Sequence, residues 1–556
     1  MQQKFLEKTL GQQIADMAAK YPDDNMIDYT DRDYSRTWKE FNDECETIAR
    51  GFMALGLKKG SHISIWGTNV PAWLLTFFGS AKMGGILVTV NTSYKVFELD
   101  YQLKQSDSEA IVLIDGYKGT SYIDIINELC PELESCEPGK LKSRRLPLLK
   151  SVIYAGEGEC PAGMVDWKDL YTLAEQTPVE EFEAVRDSCD CHEVVNIQYT
   201  SGTTGFPKGV MLTHYNILNN GQTIGDGMKF THDDRLCITV PFFHCFGMVL
   251  ALMSCISHGT PFVPIDMFNA KKVMDALATK NCTAVHGVPT MFIAMLEHPD
   301  FDKYDFSHMR TGIMAGSPCP IKTMYDVSEK MNMHDIVIVF GQTEAAPGCT
   351  MTTTEDSLET RCATVGKAFP GVECKIVDPN TGETLPAGEI GEFCARGYNI
   401  MKGYYKMPEA TAQAIDKDGW LHFGDLAVCD ENGYYKVTGR LKDMIIRGGE
   451  NIYPKELEEC LYHNDRVKDV QVIGVPSKKY GEEVCACVIL KEGEDMTEDE
   501  IKAYYKENVA FFKIPKYVWI MDEFPMTASG KIQKFVLRDM AVEKYSLQSD
   551  DSIETA

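Results

Sequence analysis

Tyr199-Thr-Ser-Gly-Thr-Thr-Gly-Phe-Pro-Lys-Gly209 is the most informative run in the chain. It follows an extended apolar run, Val194 to Tyr199, and precedes a helix expected to begin near Thr213. Its residue types suit an anion. Glycines let backbone N–H groups approach closely, hydroxyls add donors, and Lys208 supplies a counter-charge. A Walker loop needs the order G-x-x-x-x-G-K-[ST], which Gly205-Phe-Pro-Lys208-Gly does not provide. The run therefore reads as a phosphate loop of another kind. A plain surface turn of similar composition is the bland alternative, and it does not account for the full order of residues.

Outward from this loop, short extended runs alternate with segments long enough for helices. The runs lie at His62 to Trp66, Ile86 to Val90, Ala110 to Ile114, Leu236 to Val240, Ala284 to Val288, Gly312 to Ala315 and Ile336 to Phe340. Thr37-Trp-Lys-Glu40 has the spacing of a capping box, opening a helix with Phe41, Cys45, Ile48, Ala49 and Phe52 on one face. The pattern predicts an α/β fold with largely parallel, mixed sheets flanked by helices. From about Gly371 the runs alternate in polarity between Gly, Pro and Asn turns, which predicts an antiparallel sub-domain over 371–440. After Gly439-Arg440 comes a small α+β unit: a helix from Pro454, strands at Val467 to Val475 and Glu483 to Leu490, and a helix at Glu498 to Asn508. The expected domains are therefore a large one over 1–440 and a small C-terminal one over 441–540, with an acidic, disordered tail over 546–556.

A chain of 556 residues is too long for one ordinary core. Its formal net charge of −27 sets a field that opposes nucleic acid and anionic membrane surfaces. An anionic ligand must then be held by donors placed locally. The 19 cysteines lack paired zinc spacings, and Cys485-Ala-Cys487 sits in a strand-like alternation that suggests buried thiols. Many unpaired thiols, with no apolar signal core at the amino terminus, point to a cytoplasmic protein. The longest apolar stretch, Gly247 to Cys255, falls far short of the roughly 20 residues that span a bilayer. Oligomeric state is not legible.

Six further motifs follow in order: Gly316-Ser317-Pro318; Phe340-Gly341-Gln-Thr343-Glu344; Trp420-Leu-His-Phe-Gly-Asp425; Gly439-Arg440-Leu-Lys442-Asp443; Arg447-Gly448-Gly449-Glu-Asn-Ile-Tyr-Pro454; and Pro525-Met-Thr-Ala-Ser-Gly-Lys531. With the loop, this series closely resembles the adenylate-forming superfamily of acyl-CoA synthetases, adenylation domains and luciferases, and covers roughly residues 10–540. The general pattern is similar to the medium-chain fatty acyl-CoA synthetases.

The resemblance implies a two-step reaction. A carboxylate attacks the α-phosphate of ATP and releases pyrophosphate; a thiol, coenzyme A, then attacks the mixed anhydride. It implies that Thr200, Ser201, Gly202, Thr203, Thr204, Gly205 and Lys208 clamp the terminal phosphates. Gly316, Ser317 and Pro318 take the adenine side, with Gly341 and a stacking Phe340, where tyrosine is the more familiar occupant. Glu344 holds Mg2+, a task suited to one carboxylate plus phosphate oxygens, and Thr343 donates to the α-phosphate. Asp425 accepts both ribose hydroxyls, as an ionised acceptor-only group can, with Arg440 beside it. Lys531 delivers its ammonium to the adenylation transition state. Lys442 marks the hinge of a mobile C-terminal domain, and the loop at Gly448 and Gly449 lines the pantetheine path.

His244, in Pro241-Phe-Phe-His-Cys-Phe-Gly247, matches the segment beside the acyl carboxylate, with His286 to Thr290 as another wall. Ala345, Ala346 and Pro347 are small and uncharged, which suits an apolar acyl tail. Chain length is not legible, because one methylene is worth only about 1 kcal/mol. Four other readings stand beside this one: an adenylation enzyme serving a separate carrier protein, a ligase for an aromatic or alicyclic acid, a luciferase-like oxygenase, and a nucleotide-binding protein without catalysis. The last should have lost Lys531, Glu344 or Asp425, and all three are present.

Overall fold

The computed structural model describes residues 4–200, 207–316, 319–447, 450–477, 479–527 and 531–547. The chain folds into two compact units. The first holds Met1–Cys374 and Ala395–Leu421, and the second Lys375–Cys394 and His422–Ala556.

The first unit has the expected α/β character. One sheet of seven strands runs in the order Asp335–Val337, Thr311–Ile313, Ala284–His286, Leu236–Ile238, Phe262–Pro264, Asn25–Asp28 and Ser35–Thr37. All its pairings are parallel except the last. A second sheet of eight strands runs Gly403–Tyr404, Lys208–Thr213, Val194–Thr200, Ile86–Thr89, His62–Trp66, Ala110–Leu113, Ser151–Tyr154 and Val165–Asp166. It is parallel from Val194–Thr200 onward and antiparallel at its other end. Strand His62–Trp66 is buried at every position, as a strand covered on both faces must be. The capping box at Thr37 forms: Thr37 Oγ1 accepts the Glu40 N–H at 3.2 Å, and Glu40 Oε2 accepts the Thr37 N–H at 2.8 Å. The helix it starts, Trp38–Ala54, buries Phe41, Cys45, Ile48, Ala49 and Phe52.

The helix expected near Thr213 forms as His214–Gly227, with Thr213 as its cap, and a strand that was not expected, Lys208–Thr213, lies before it. The strand's N–H and C=O groups pair with Val194–Thr200 on one side and Gly403–Tyr404 on the other, so a full strand is stabilised where the glycines suggested only a turn. One reading of local structure is corrected: the run from Ile336 to Phe340 is not one strand. Asp335–Val337 belongs to the seven-stranded sheet, while Val339–Gly341 opens a separate three-stranded antiparallel sheet with Gly348–Met351 and Lys367–Ala368.

A four-stranded sheet runs Val372–Val377, Gly391–Gly397, Leu421–Cys429 and Tyr435–Arg440, its last two strands paired antiparallel. Further along, helices Pro454–Tyr462 and Glu498–Asn508 accompany the long hairpin Val467–Ser477 and Gly481–Leu490. A core of Ile452, Leu457, Leu461, Val472, Val484, Ile501 and Tyr505 holds them together. Cys485 and Cys487 are buried in that hairpin. No helix among the described residues is long and apolar enough to cross a membrane. The apolar stretch read from Gly247 to Cys255 runs through a π-helix, Phe246–Met253, into helix Ser254–His258 and is buried throughout.

Candidate active site

The described ends of the expected phosphate loop are two hairpin strands. Thr200 closes one, Lys208 opens the other, and the two residues are register partners. Residues 201–206, with Ser201, Gly202, Thr203, Thr204 and Gly205, lie outside the described residues, as do Ser317, Pro318, Gly448 and Gly449. Tyr101 Oη donates to the Pro207 carbonyl at 3.1 Å, which anchors the loop's second end. Gly209 is there for space: a Cβ would come within 2.8 Å of Ile197 Cγ2 and 3.1 Å of the Tyr199 ring.

Strand register carries Lys208 to a residue that no motif singled out. Gly403–Tyr404 pairs with Lys208–Thr213, setting Val210 opposite Tyr404. The Lys208 ammonium lies 5.0 Å from the centre of the Tyr404 ring. The same phenol donates to Glu344 Oε1 at 2.8 Å. Burial, with the Glu344 carboxylate beside it, raises the Tyr404 phenol far above its ordinary range and keeps it a donor. Glu344 is itself buried, on the turn Thr343–Ala345. A single buried carboxylate with oxygen chemistry suits a hard cation such as Mg2+.

Backbone geometry around Glu344 is tightly set. Gly341 must be glycine, since a Cβ would fall 1.8 Å from the Pro347 carbonyl oxygen. Ala346 takes a left-handed conformation at φ 60°. Gly348 then exchanges hydrogen bonds with Asn220, giving its N–H to Oδ1 at 3.0 Å and taking Nδ2 on its carbonyl at 2.8 Å. Asn399 Nδ2 donates to that carbonyl too, at 2.9 Å. Thr343 is nearly buried, its hydroxyl 3.5 Å from Cys245 Sγ. Phe340 is half-buried on Val339–Gly341, and Gly316 is exposed with φ 89°.

His244 is half-buried just before the π-helix, a helix type that recurs at functional sites. Its Nδ1 accepts the Phe246 N–H at 3.2 Å, so the neutral ring carries its proton on Nε2 as a donor. His286 is different. Fully buried, it accepts the Ile313 N–H on Nδ1 at 3.3 Å and approaches the Leu250 carbonyl through Nε2 at 3.3 Å. Burial lowers its pKa to about 4, so it is a neutral wall rather than a cation. Ala345 and Ala346 are also buried.

In the second unit, Asp425 and Arg440 stand opposite each other on strands Leu421–Cys429 and Tyr435–Arg440, with an ion pair of 2.7 Å. Burial pushes the Asp425 carboxyl up to about 6, and Arg440, Lys531 and Lys442 pull the other way. Burial prevails because the Arg440 side chain is 44% exposed and shares its charge with water. Lys531, exposed, donates its N–H to Thr527 Oγ1 at 3.0 Å. Lys442 is exposed in the turn Leu441–Asp443. Gly424 adopts φ 65°, and its N–H is held at 3.0 Å by Glu392 Oε1, whose other oxygen meets His422 Nδ1 at 2.9 Å. Glu392 thus orients the turn into Asp425. Neither Glu392 nor Tyr404 carries a local sequence signal, because each acts across strand pairings.

Residues 14–405 match the model of the AMP-binding enzyme family, and residues 456–531 match the AMP-binding enzyme C-terminal domain. The chain belongs to this family. It is 51% identical over 546 residues to YngI of Bacillus subtilis (strain 168), which carries an acyl-CoA synthetase name; the match covers 98% of this chain and 99% of that protein. It is 39% identical over 537 residues to the medium-chain acyl-CoA ligase ACSF2, mitochondrial, of Homo sapiens, covering 96% and 87%. A crystal structure of ATP-bound MatB from Rhodopseudomonas palustris superposes with a TM-score of 0.83 at 28% identity, covering 97% of this chain and all of that one. This AMP-binding enzyme is accordingly an AMP-forming acid–thiol ligase of the acyl-CoA synthetase type, which uses ATP, CoA and a small carboxylic acid.

Proposed function

We propose that the protein activates a fatty acid of medium chain length. An oxygen of the acid's carboxylate attacks the α-phosphorus of ATP and pyrophosphate leaves, giving the acyl-adenylate. The CoA sulfur, having given up its proton, then attacks the acyl carbon and AMP leaves, giving acyl-CoA. The observation that carries the acid class is the relation to ACSF2, a medium-chain ligase by name, along nearly the whole chain. The buried, uncharged His286, Ala345 and Ala346 support it, since nothing in that group would pair with a charged tail.

Adenylation brings two anions together, so its barrier is electrostatic and positional. In this reading Lys208 and the loop from Thr200 clamp the phosphates, Thr343 donates to the α-phosphate, and His244 steadies the acid through Nε2–H. Asp425 and Arg440 take the ribose, Phe340, Gly341 and Gly316 the base. Glu344 would hold Mg2+, which when bound offsets the charge gathered on the phosphates. Lys531 serves the first half-reaction. The proposed boundary after Arg440 makes 441–540 a mobile domain with Lys442 as its pivot, a residue exposed in a short turn and so free to absorb a change in φ and ψ. A content of nineteen cysteines without paired zinc spacings supports a cytoplasmic setting.

The test is a panel of straight-chain acids of rising length, with aromatic and alicyclic acids beside them. Pyrophosphate release is assayed with and without CoA, and the thioester is identified by mass. Medium straight chains should have the highest kcat/KM and give acyl-CoA. Faster turnover of the ring acids would overturn the acid class; pyrophosphate without thioester would point to a carrier protein as acceptor.

A further inference from the structure

We propose that Tyr404 is the positioning residue for the metal carboxylate: its phenol holds Glu344 Oε1 and so aims Oε2 at the cation. This rests on the reading of Glu344 as the Mg2+ ligand and names the group that sets its geometry. Glu344 and Tyr404 are 60 positions apart, and the 2.8 Å bond between them lies between residues only 9% and 8% exposed. The two segments are tied twice, because the Met401 N–H also donates to the Glu344 backbone carbonyl at 2.9 Å. Tyr404 is in turn fixed by its strand and by its own N–H, which donates to Thr411 Oγ1 at 2.9 Å. Its backbone is therefore fixed before any ligand arrives, and burial with the bond to Glu344 holds the ring. Among the described residues no hydrogen bond reaches Glu344 Oε2.

A carboxylate in a dry site needs a donor, and the kind of donor matters. A lysine or arginine would cancel the negative charge that a cation needs. A neutral phenol satisfies one oxygen and leaves the charge in place. The ring face also lies under the Lys208 ammonium at 5.0 Å, so one side chain serves two opposite charges, its edge the carboxylate and its face the phosphate-loop cation. Partners that orient a metal ligand typically govern affinity by about 10–100-fold when removed.

The experiment reads binding rather than turnover. Mn2+ is titrated into the full-length enzyme with the non-cleavable nucleotide AMPCPP, and free Mn2+ is followed by electron paramagnetic resonance. Tyr404→Phe keeps the ring and loses the donor, and it should weaken Mn2+ binding about 10-fold. AMPCPP affinity without metal should stay near wild type, the melting temperature should fall modestly because buried Oε1 loses its donor, and kcat should return at high Mg2+. Tyr404→Leu, which also removes the ring, should weaken metal-free AMPCPP binding as well. Tyr404→His keeps a donor on a smaller ring and should fall between wild type and Tyr404→Phe. If Tyr404→Phe and Tyr404→His both bind Mn2+ as wild type does, while Glu344→Gln does not, the role of Tyr404 is overturned and that of Glu344 stands. If Glu344→Gln binds Mn2+ as wild type does, the underlying reading fails and this one with it.

Discussion

Two carboxylates, Glu344 in the first unit and Asp425 in the second, are buried to a similar degree, 9% and 5% exposed. Their surroundings differ in kind. Glu344 is held by a neutral phenol on a rigid sheet edge, with asparagines clamping the segment that follows it. Asp425 is faced by cations, Arg440 at 2.7 Å and the charges of Lys531 and Lys442 further off. The difference fits the roles proposed for them. As a metal ligand Glu344 would need its charge, which an uncharged partner leaves in place. As an acceptor of neutral ribose hydroxyls Asp425 could share its charge with neighbouring cations, which make it sensitive to salt, while burial makes it sensitive to pH.

The largest expected effect breaks the cationic side of that comparison. Lys531→Ala should lower acid-dependent pyrophosphate release by about 100-fold or more, the scale of losing one preorganised charge from a transition state. Thioester formation from supplied acyl-adenylate and CoA should remain close to wild type. Equal loss in both half-reactions, followed by quenched-flow chromatography, would remove Lys531 from the adenylation role.

Asp425 sharpens the contrast through pH. With its carboxyl raised from 3.8 to about 6 in the folded protein, it favours the protonated folded state. Its contribution to stability is whole below the unfolded value and fades as pH rises through the folded one. In its proposed ribose role nucleotide binding should run the other way, since the acceptor-only form exists above that value. ATP affinity should thus drop as pH falls below about 6, while the ligand-free protein gains stability. Asp425→Asn should flatten both profiles, weaken ATP about 10-fold and stabilise the free protein at pH 8 by up to about 3 kcal/mol. Calorimetric titration and thermal melts across pH check this, and an unaltered ATP profile in the variant would refute it.

Asn220→Ala tests the neutral scaffold. It leaves the Gly348 N–H without its acceptor while Asn399 still serves the carbonyl, and should cost about 1–3 kcal/mol in chemical denaturation. A change below about 0.5 kcal/mol would show that the clamp is dispensable. The smallest effect is that of salt. Raising ionic strength from about 0.05 to 0.5 M should weaken the pull of Arg440, Lys442 and Lys531 on Asp425 and raise its apparent pKa by a few tenths. An NMR titration of labelled Asp side chains reads this directly, and a fall in the pKa would contradict it.

Much of this was legible in residues that act locally. The capping-box spacing at Thr37 marked a helix that forms with the expected face buried, and the change of pattern near Gly371 falls just before strand Val372–Val377. The helix from Pro454 and the helix Glu498–Asn508 lie where the pattern put them. The strand Lys208–Thr213 was hidden because its reason lies outside it, in partners at Val194–Thr200 and Gly403–Tyr404. The break between Val337 and Val339 was hidden in the same way, as one apolar run serves two sheets.

By itself the sequence determined the α/β class, the family's ordered motifs and the types of charged groups required, because composition and short-range spacing dictate what a segment can pair with or bind. Only the tertiary structure decided which neighbour each charge receives. Tyr404 reaches Glu344, Asn220 and Asn399 reach Gly348, and Glu392 reaches Gly424 through strand register and chain crossings of 32 to 128 positions. Those partners set geometry and protonation, and they depend on distances in space that no local pattern encodes.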